Sequence, residues 1–210
     1  MAALLSGTDG AWLTVMSDPA RRVLAHATGG RAAELEELQF TAGEGPCVDA
    51  FTSGTPLLVA DLGAAGWQAR WPGFTIADGH PGASAMFAFP LAQGAIRVGV
   101  LGLYRGIPGP LPPEHLADTL VCADAALMLM LSARSGPGPQ PGPDGWPTHQ
   151  ARVYQATGMV SVQLGVGLEE ALALLRAYAF AHDRPLADVA AEVVARRLRL
   201  DASSTGEPLG

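Results

Sequence analysis

Three of the chain's 13 basic residues, Arg196, Arg197 and Arg199, fall within four consecutive positions. Such a cluster could contact phosphate, or it could be the solvated end of a helix. The other residue types that do chemistry are dispersed. The histidines His26, His80, His115, His149 and His182 show no HExxH or other ligand spacing, so no metal site is expected. Asp49 and Asp61 would be conceivable as paired carboxylates only if the fold joined them. There is no GxSxG, no Walker loop and no dinucleotide fingerprint. The expectation is a protein that is not an enzyme, with no catalytic residue and no cofactor.

Cys47 and Cys122 lie far apart and lack CxxC spacing, so neither a disulfide nor a zinc site is indicated. Both read first as small buried side chains. For Cys47 a redox role or a covalently held ligand stays open, and reactivity would need a lowered pKa.

The charge is uneven. The chain carries −7 overall, which argues against a general nucleic-acid coat protein. Residues 1–147 hold 7 Arg against 13 acids, whereas residues 148–200 hold 6 Arg against 5 acids. No window reaches the roughly 18 uninterrupted apolar residues of a membrane span. The start, Met1-Ala2-Ala3-Leu4-Leu5, lacks the basic region of a signal peptide. A cytoplasmic protein with no membrane partner is expected.

The elements that must position these residues divide at Ser135-Gly-Pro-Gly-Pro-Gln-Pro-Gly-Pro-Asp-Gly145, where alternating Gly and Pro sustain neither helix nor sheet. The units are then 1–134, a linker at 135–147, 148–200, and a polar tail at 201–210. The first unit reads as mixed. Ser84–Leu91 and Ile96–Tyr104 form a hairpin turning at Gly94, with Ala85, Phe87, Phe89 and Leu91 on one face. Ala11–Met16 and Arg22–His26 form another, turning at Ser17-Asp-Pro19, and Pro56–Asp61 is a short strand. A helix should run from about Pro113 to Ala133 along Leu116, Leu120, Ala123, Leu127 and Met130.

The second unit reads as three helices. His149–Gln163 is stopped by Gly165-Val-Gly167. A second helix follows Leu168, Ala171, Leu172, Leu175, Tyr178 and Ala179. A third starts at Pro185 and continues through Val189, Ala190 and Val193 into Arg196–Arg199. Ala171, Leu175, Val189 and Ala190 are expected in the core. Some fifty residues make a small core, so partner or dimer contacts should add to its stability. Ala156 and Gly158 are small enough to admit a neighbouring backbone or to leave room for a nucleobase. Gly158 inside a helix costs about 1 kcal/mol relative to Ala.

The blocks Gln155-Ala-Thr-Gly158, Leu168-Glu-Glu-Ala171, Leu175-Arg-Ala-Tyr-Ala179 and Leu186-Ala-Asp-Val-Ala190 together resemble the ANTAR domain, a three-helix module of transcription antitermination regulators. Residues 7–133 resemble the GAF sensory module found upstream of ANTAR in actinobacterial proteins. That likeness is carried by Gly43-Glu-Gly-Pro-Cys-Val-Asp-Ala50, Ala60-Asp61, Arg70-Trp-Pro72, Phe87–Leu91 and Gly99–Tyr104. The resemblance implies an α+β chain, with a GAF-like antiparallel sheet and helices followed by an ANTAR bundle. The family usually has a helix before its first strand. Here only about five residues precede Ser6, so either the start is assigned too late or the fold has lost that helix, which often mediates dimerisation.

By the same resemblance the chain would bind paired RNA hairpins in leader transcripts, as a homodimer, under control of an unidentified small-molecule ligand of the GAF-like domain. A sheet with helices on one side and a loop-covered pocket on the other could hold such a ligand. The RNA-binding residues implied are Ala156, Gly158, Arg176 and Ala179 from the motif, with Arg196, Arg197 and Arg199 added on charge. Arg176 could instead pair with Glu169, Glu170 or Asp188. Other readings of the chain are a protein-interaction regulator whose helices pair with a partner, a DNA-binding helix-turn-helix, and a small redox enzyme.

Overall fold

A computed structural model describes residues 7–76, 82–135 and 148–200. Most of the Gly/Pro run, the tail, His80 and residues 1–6 lie outside the described residues, and so does the question of a helix before the first strand. The chain divides into two compact units, 1–139 and 140–210.

The first unit is built on a five-stranded antiparallel sheet. Its strands are β1 (Gly10–Asp18), β2 (Arg21–Ala27), β3 (Leu57–Val59), β4 (Ala85–Gln93) and β5 (Ile96–Arg105), in the order β2-β1-β5-β4-β3. The Asp18 carboxylate closes the β1–β2 turn by accepting from the backbone N–H groups of Ala20 (2.9 Å) and Arg21 (2.7 Å). Side-chain alternation divides β4 between two cores. Ala85, Phe87, Phe89 and Leu91 pack with Ala123 and Leu127 of the helix α5 (Pro113–Ser135). Met86 and Ala88 join Trp12, Leu35, Cys47, Phe51, Trp71 and Phe74 on the opposite face. On β5 a bulge leaves Val98 between the pairs Leu91↔Gly99 and Ala92↔Arg97. The extra residue puts Val98 into the α5 core, although it is two positions from Val100, which serves the other core.

The face away from α5 is covered by α1 (Gly30–Ala42), α2 (Pro46–Ser53) and the short α3 (Ala65–Arg70) and α4 (Pro72–Ile76). This is the face on which a loop-covered pocket was expected. Among the described residues, helices cover it, and large side chains such as Trp12, Phe40, Trp71 and Phe74 are buried there. The Gly43–Ala50 segment is the connector that makes this cover compact. Gly43 ends α1 at φ 76°. Gly45, at φ 133°, lies where a Cβ would strike Gln39, and Gln39 Oε1 accepts from the Cys47 N–H at 2.8 Å. Within α5 the stretch Pro113–Ser132 is long and apolar enough to cross a membrane, at mean hydropathy 1.4. In this fold it lies along the sheet, with Val121, Met128 and Leu129 facing outward.

The second unit consists of α6 (Thr148–Leu164), α7 (Leu168–Ala181) and α8 (Leu186–Val194), with α6 packed on both others. Its core holds Val153, Ala156, Val160, Ala171, Leu172, Leu175, Val189, Ala190, Val193 and Leu200. The third helix is shorter than its sequence pattern suggested. It stops at Val194, so Arg196, Arg197 and Arg199 lie beyond it rather than on its last turn.

Candidate functional site

What ends α8 also shapes the site. The N–H of Arg196 bonds the Val193 carbonyl (2.9 Å), and the N–H of Arg197 bonds that of Glu192 (2.8 Å). This is a Schellman turn, whose left-handed position glycine usually occupies. Here Arg196 occupies it at φ 58°. A side chain in that conformation costs roughly 1–2 kcal/mol. The chain then runs back along α6 to Leu200, which is buried, and Gln163 Nε2 donates to the Leu200 carbonyl. Both ends of the 195–200 segment are therefore fixed.

Between that segment and α6 lies an open groove of about 670 Å³. From α6 it takes Gln155, Gly158, Met159, Val162 and Gln163, whose spacing of 0, 3, 4, 7 and 8 defines one helical face. From the other side it takes Val193, Arg196, Leu198 and Arg199. Val162 is 86% exposed, and a Cβ on Gly158 would meet nothing within 4 Å. Gly158 is thus a bare patch of helix on an open surface and not a packing contact. Among the described residues that line the groove, none is acidic. The nearby Glu192 is engaged elsewhere: it accepts from Arg184 at 3.1 Å, and that bond lowers its pKa.

The residues expected at an RNA surface are therefore only partly together. Gly158, Arg196 and Arg199 line the groove, and Arg197 is exposed beside it. Ala156 and Ala179 are buried in the bundle, where small side chains let the helices approach, so in this conformation they offer no surface to a ligand. Arg176 is half-buried on α7 and is not among the groove residues. Gln155, Met159, Val162 and Gln163 are not among the residues that the sequence assigns to an RNA surface. Their signal was a second periodic stripe on α6, beside the core stripe Val153, Ala156 and Val160.

In the first unit the polar residues of the interior serve the fold. Asp49 accepts from Arg70 Nε (2.5 Å) and Trp71 Nε1 (3.0 Å), while Asp61 accepts from the Gly63 N–H (2.8 Å), so each carboxylate holds its own neighbourhood. Arg22 of β2 and Glu36 of α1 form an ion pair at 3.6 Å with side chains 0% and 1% exposed. Burial pushes the Glu36 pKa up, with Arg22 opposing. Burial, and after it the charge of Glu36, pushes the Cys47 thiol far above its usual range. A thiol so placed is not a nucleophile.

Taken together, a helix-covered antiparallel sheet and a three-helix unit define a two-domain α+β chain. The family models agree. The GAF domain model matches residues 2–129, so the chain belongs to the GAF domain family, and the ANTAR domain model matches residues 147–194. Among solved structures, the second GAF domain of DevS from Mycobacterium smegmatis is 22% identical over 64% of this chain and 88% of that one, with a TM-score of 0.44. The GAF domain of a phosphoenolpyruvate-protein phosphotransferase from Coxiella burnetii is 18% identical over 61% of this chain and 74% of that one, at 0.47. Among curated proteins nothing matches.

Proposed function

We propose that the chain is a non-catalytic cytoplasmic regulator that binds paired RNA hairpins through residues 148–200 and thereby causes transcription antitermination. The observation that carries this reading is the α6 groove. It joins a bare glycine surface and apolar walls to two exposed guanidinium groups, with no carboxylate among its described lining residues. Unstacked loop bases need such a niche, and their phosphates need the cations. The RNA-facing residues are then Gly158, Arg196, Arg197 and Arg199. A homodimer would present two grooves to two hairpins, raising avidity without new contacts. The GAF domain, joined through residues 135–147, gates this binding in response to an unidentified small molecule.

The test is a gel-shift titration of the full chain on a two-hairpin leader RNA at several salt concentrations. Replacing Arg196, Arg197 and Arg199 together by Ala should weaken binding and flatten the salt dependence by about 0.7–0.9 per lost phosphate contact. An unchanged slope would remove these arginines from the interface. One observation favours a second reading, a helical unit that pairs with a partner protein: Phe180 of α7 is exposed. That reading gains if the wild-type chain leaves the RNA unshifted.

A further inference from the structure

The groove on α6 lies where the described part of the second unit stops. Leu200 is buried, and its carbonyl accepts from Gln163 Nε2 near the C-terminal end of α6. The segment that follows Leu200 therefore starts beside the groove. It reads Asp201-Ala-Ser-Ser-Thr-Gly-Glu-Pro-Leu-Gly210, with two acids, no basic residue and Leu209 as its one large hydrophobic side chain. The groove offers the complement. Arg196 and Arg199 are exposed on one wall, Met159 and Val162 give the other an apolar surface, and among its described lining residues none is acidic. The lengths agree as well. From Gln155 to Gln163 the helix rises about 12 Å, and six residues of Ser- and Gly-bearing chain span about 13 Å on average. Such a span sets Glu207 within reach of both arginines.

We propose that residues 201–210 occupy the α6 groove of their own chain: the carboxylates of Asp201 and Glu207 pair with Arg196 and Arg199, and Leu209 lies on Met159 and Val162. Exposed ion pairs contribute little between separate molecules. Tethering changes the balance, because a short tether supplies an effective concentration on the order of 1 mM. A contact whose Kd as a separate peptide is about 0.1–1 mM then fills the groove for half to about nine-tenths of the time. The consequence rests on the RNA reading above: the two carboxylates take the place of phosphates on the same arginines, so the tail competes with RNA. A second copy of the chain carries the same segment, and the experiment separates the two sources.

The photo-cross-linking residue p-benzoylphenylalanine is incorporated at position 209 of the full chain, and ordinary and isotope-labelled protein are mixed before irradiation. Mass spectrometry should find position 209 joined to Met159 or Val162 of the same chain. Glu207→Arg should lose that product, and Glu207→Arg combined with Arg196→Glu and Arg199→Glu should regain it, which repair of the fold alone would not do. Products outside the groove, or products joining labelled to unlabelled chains, overturn the proposal, the latter in favour of a second copy. The chain ending at Leu200 should then bind a two-hairpin RNA roughly 2- to 10-fold more tightly than the full chain. If the cross-link forms and neither chain shifts the RNA, the tail contact stands and the RNA reading fails. If both chains bind RNA equally and no groove cross-link forms, the RNA reading stands and the tail contact falls.

Discussion

The indole N–H of Trp12 donates to Glu36 at 3.0 Å, and the other oxygen of that carboxylate lies 3.6 Å from Arg22 Nε. A buried ion pair contributes little net stability, but removing one member leaves an uncompensated charge. Arg22→Met should therefore destabilise the first domain by about 3–5 kcal/mol at neutral pH. Arg22→Met combined with Glu36→Gln should recover most of that, because Gln still accepts from Trp12. The sign with pH follows from Glu36. Its pKa is raised in the folded state, so its contribution is full below the ordinary carboxylate value and lost as pH climbs through the raised one. Loss of Arg22 removes the charge that opposes this rise. Denaturant titrations across pH should show the gap between wild type and Arg22→Met widening as pH increases.

Cys47 should be silent to thiol reagents in the native protein. It is buried, and burial holds it protonated. Cys122 on α5 is only partly covered. Colorimetric titration of Cys122→Ser should show almost no reactive thiol until denaturant is added. Prompt native labelling of that variant would reopen a redox role for Cys47.

Arg196→Gly separates stability from binding. Glycine takes the left-handed position without penalty, so the second domain should gain about 1 kcal/mol, a rise of several degrees in melting temperature. RNA affinity should fall in the same variant. Arg197→Ala, which relieves no such backbone, should lower affinity without raising the melting temperature. A drop in stability for Arg196→Gly would mean that the arginine serves the fold.

Gly158 gives a comparable contrast. Since nothing lies within 4 Å of a Cβ there, Gly158→Ala should stabilise α6 by up to about 1 kcal/mol through helix propensity. Gly158→Trp should fold, as judged by circular dichroism, and yet weaken RNA binding by obstructing the groove. Gly102 is the opposite case. A Cβ there would come within 2.3 Å of the Trp12 ring, so Gly102→Ala should cost about 1–3 kcal/mol in thermal unfolding.

The β4–β5 hairpin was legible in the sequence because its alternation is clean and Gly94 supplies the turn at φ 62°. Helix α1 was not. Its buried face includes Glu36 and Gln39, so the apolar stripe that betrays a helix is interrupted by the polar residues that the interior pairs off. The end of α8 was hidden for a related reason. Helical periodicity continues into Arg197, and the residue that takes the left-handed turn is Arg196, where a glycine would have announced the stop. In α6 the motif positions Ala156 and Gly158 could be read, but not that one faces the core and the other faces outward. Position in a motif does not specify a side of the helix, and the second stripe, through Met159 and Gln163, is too polar to attract notice.

The hold of Gln163 on Leu200 also fixes where the second domain has to end. The family match stops at residue 194, and a fragment trimmed there would keep α6, α7 and α8. It would lose Arg196, Leu198 and Arg199 from the far side of the groove, and with Leu200 the means of fastening that side to α6. A piece that keeps the whole groove therefore extends past residue 194 to at least Leu200, and a cut at 194 would leave the three helices with only part of the cleft.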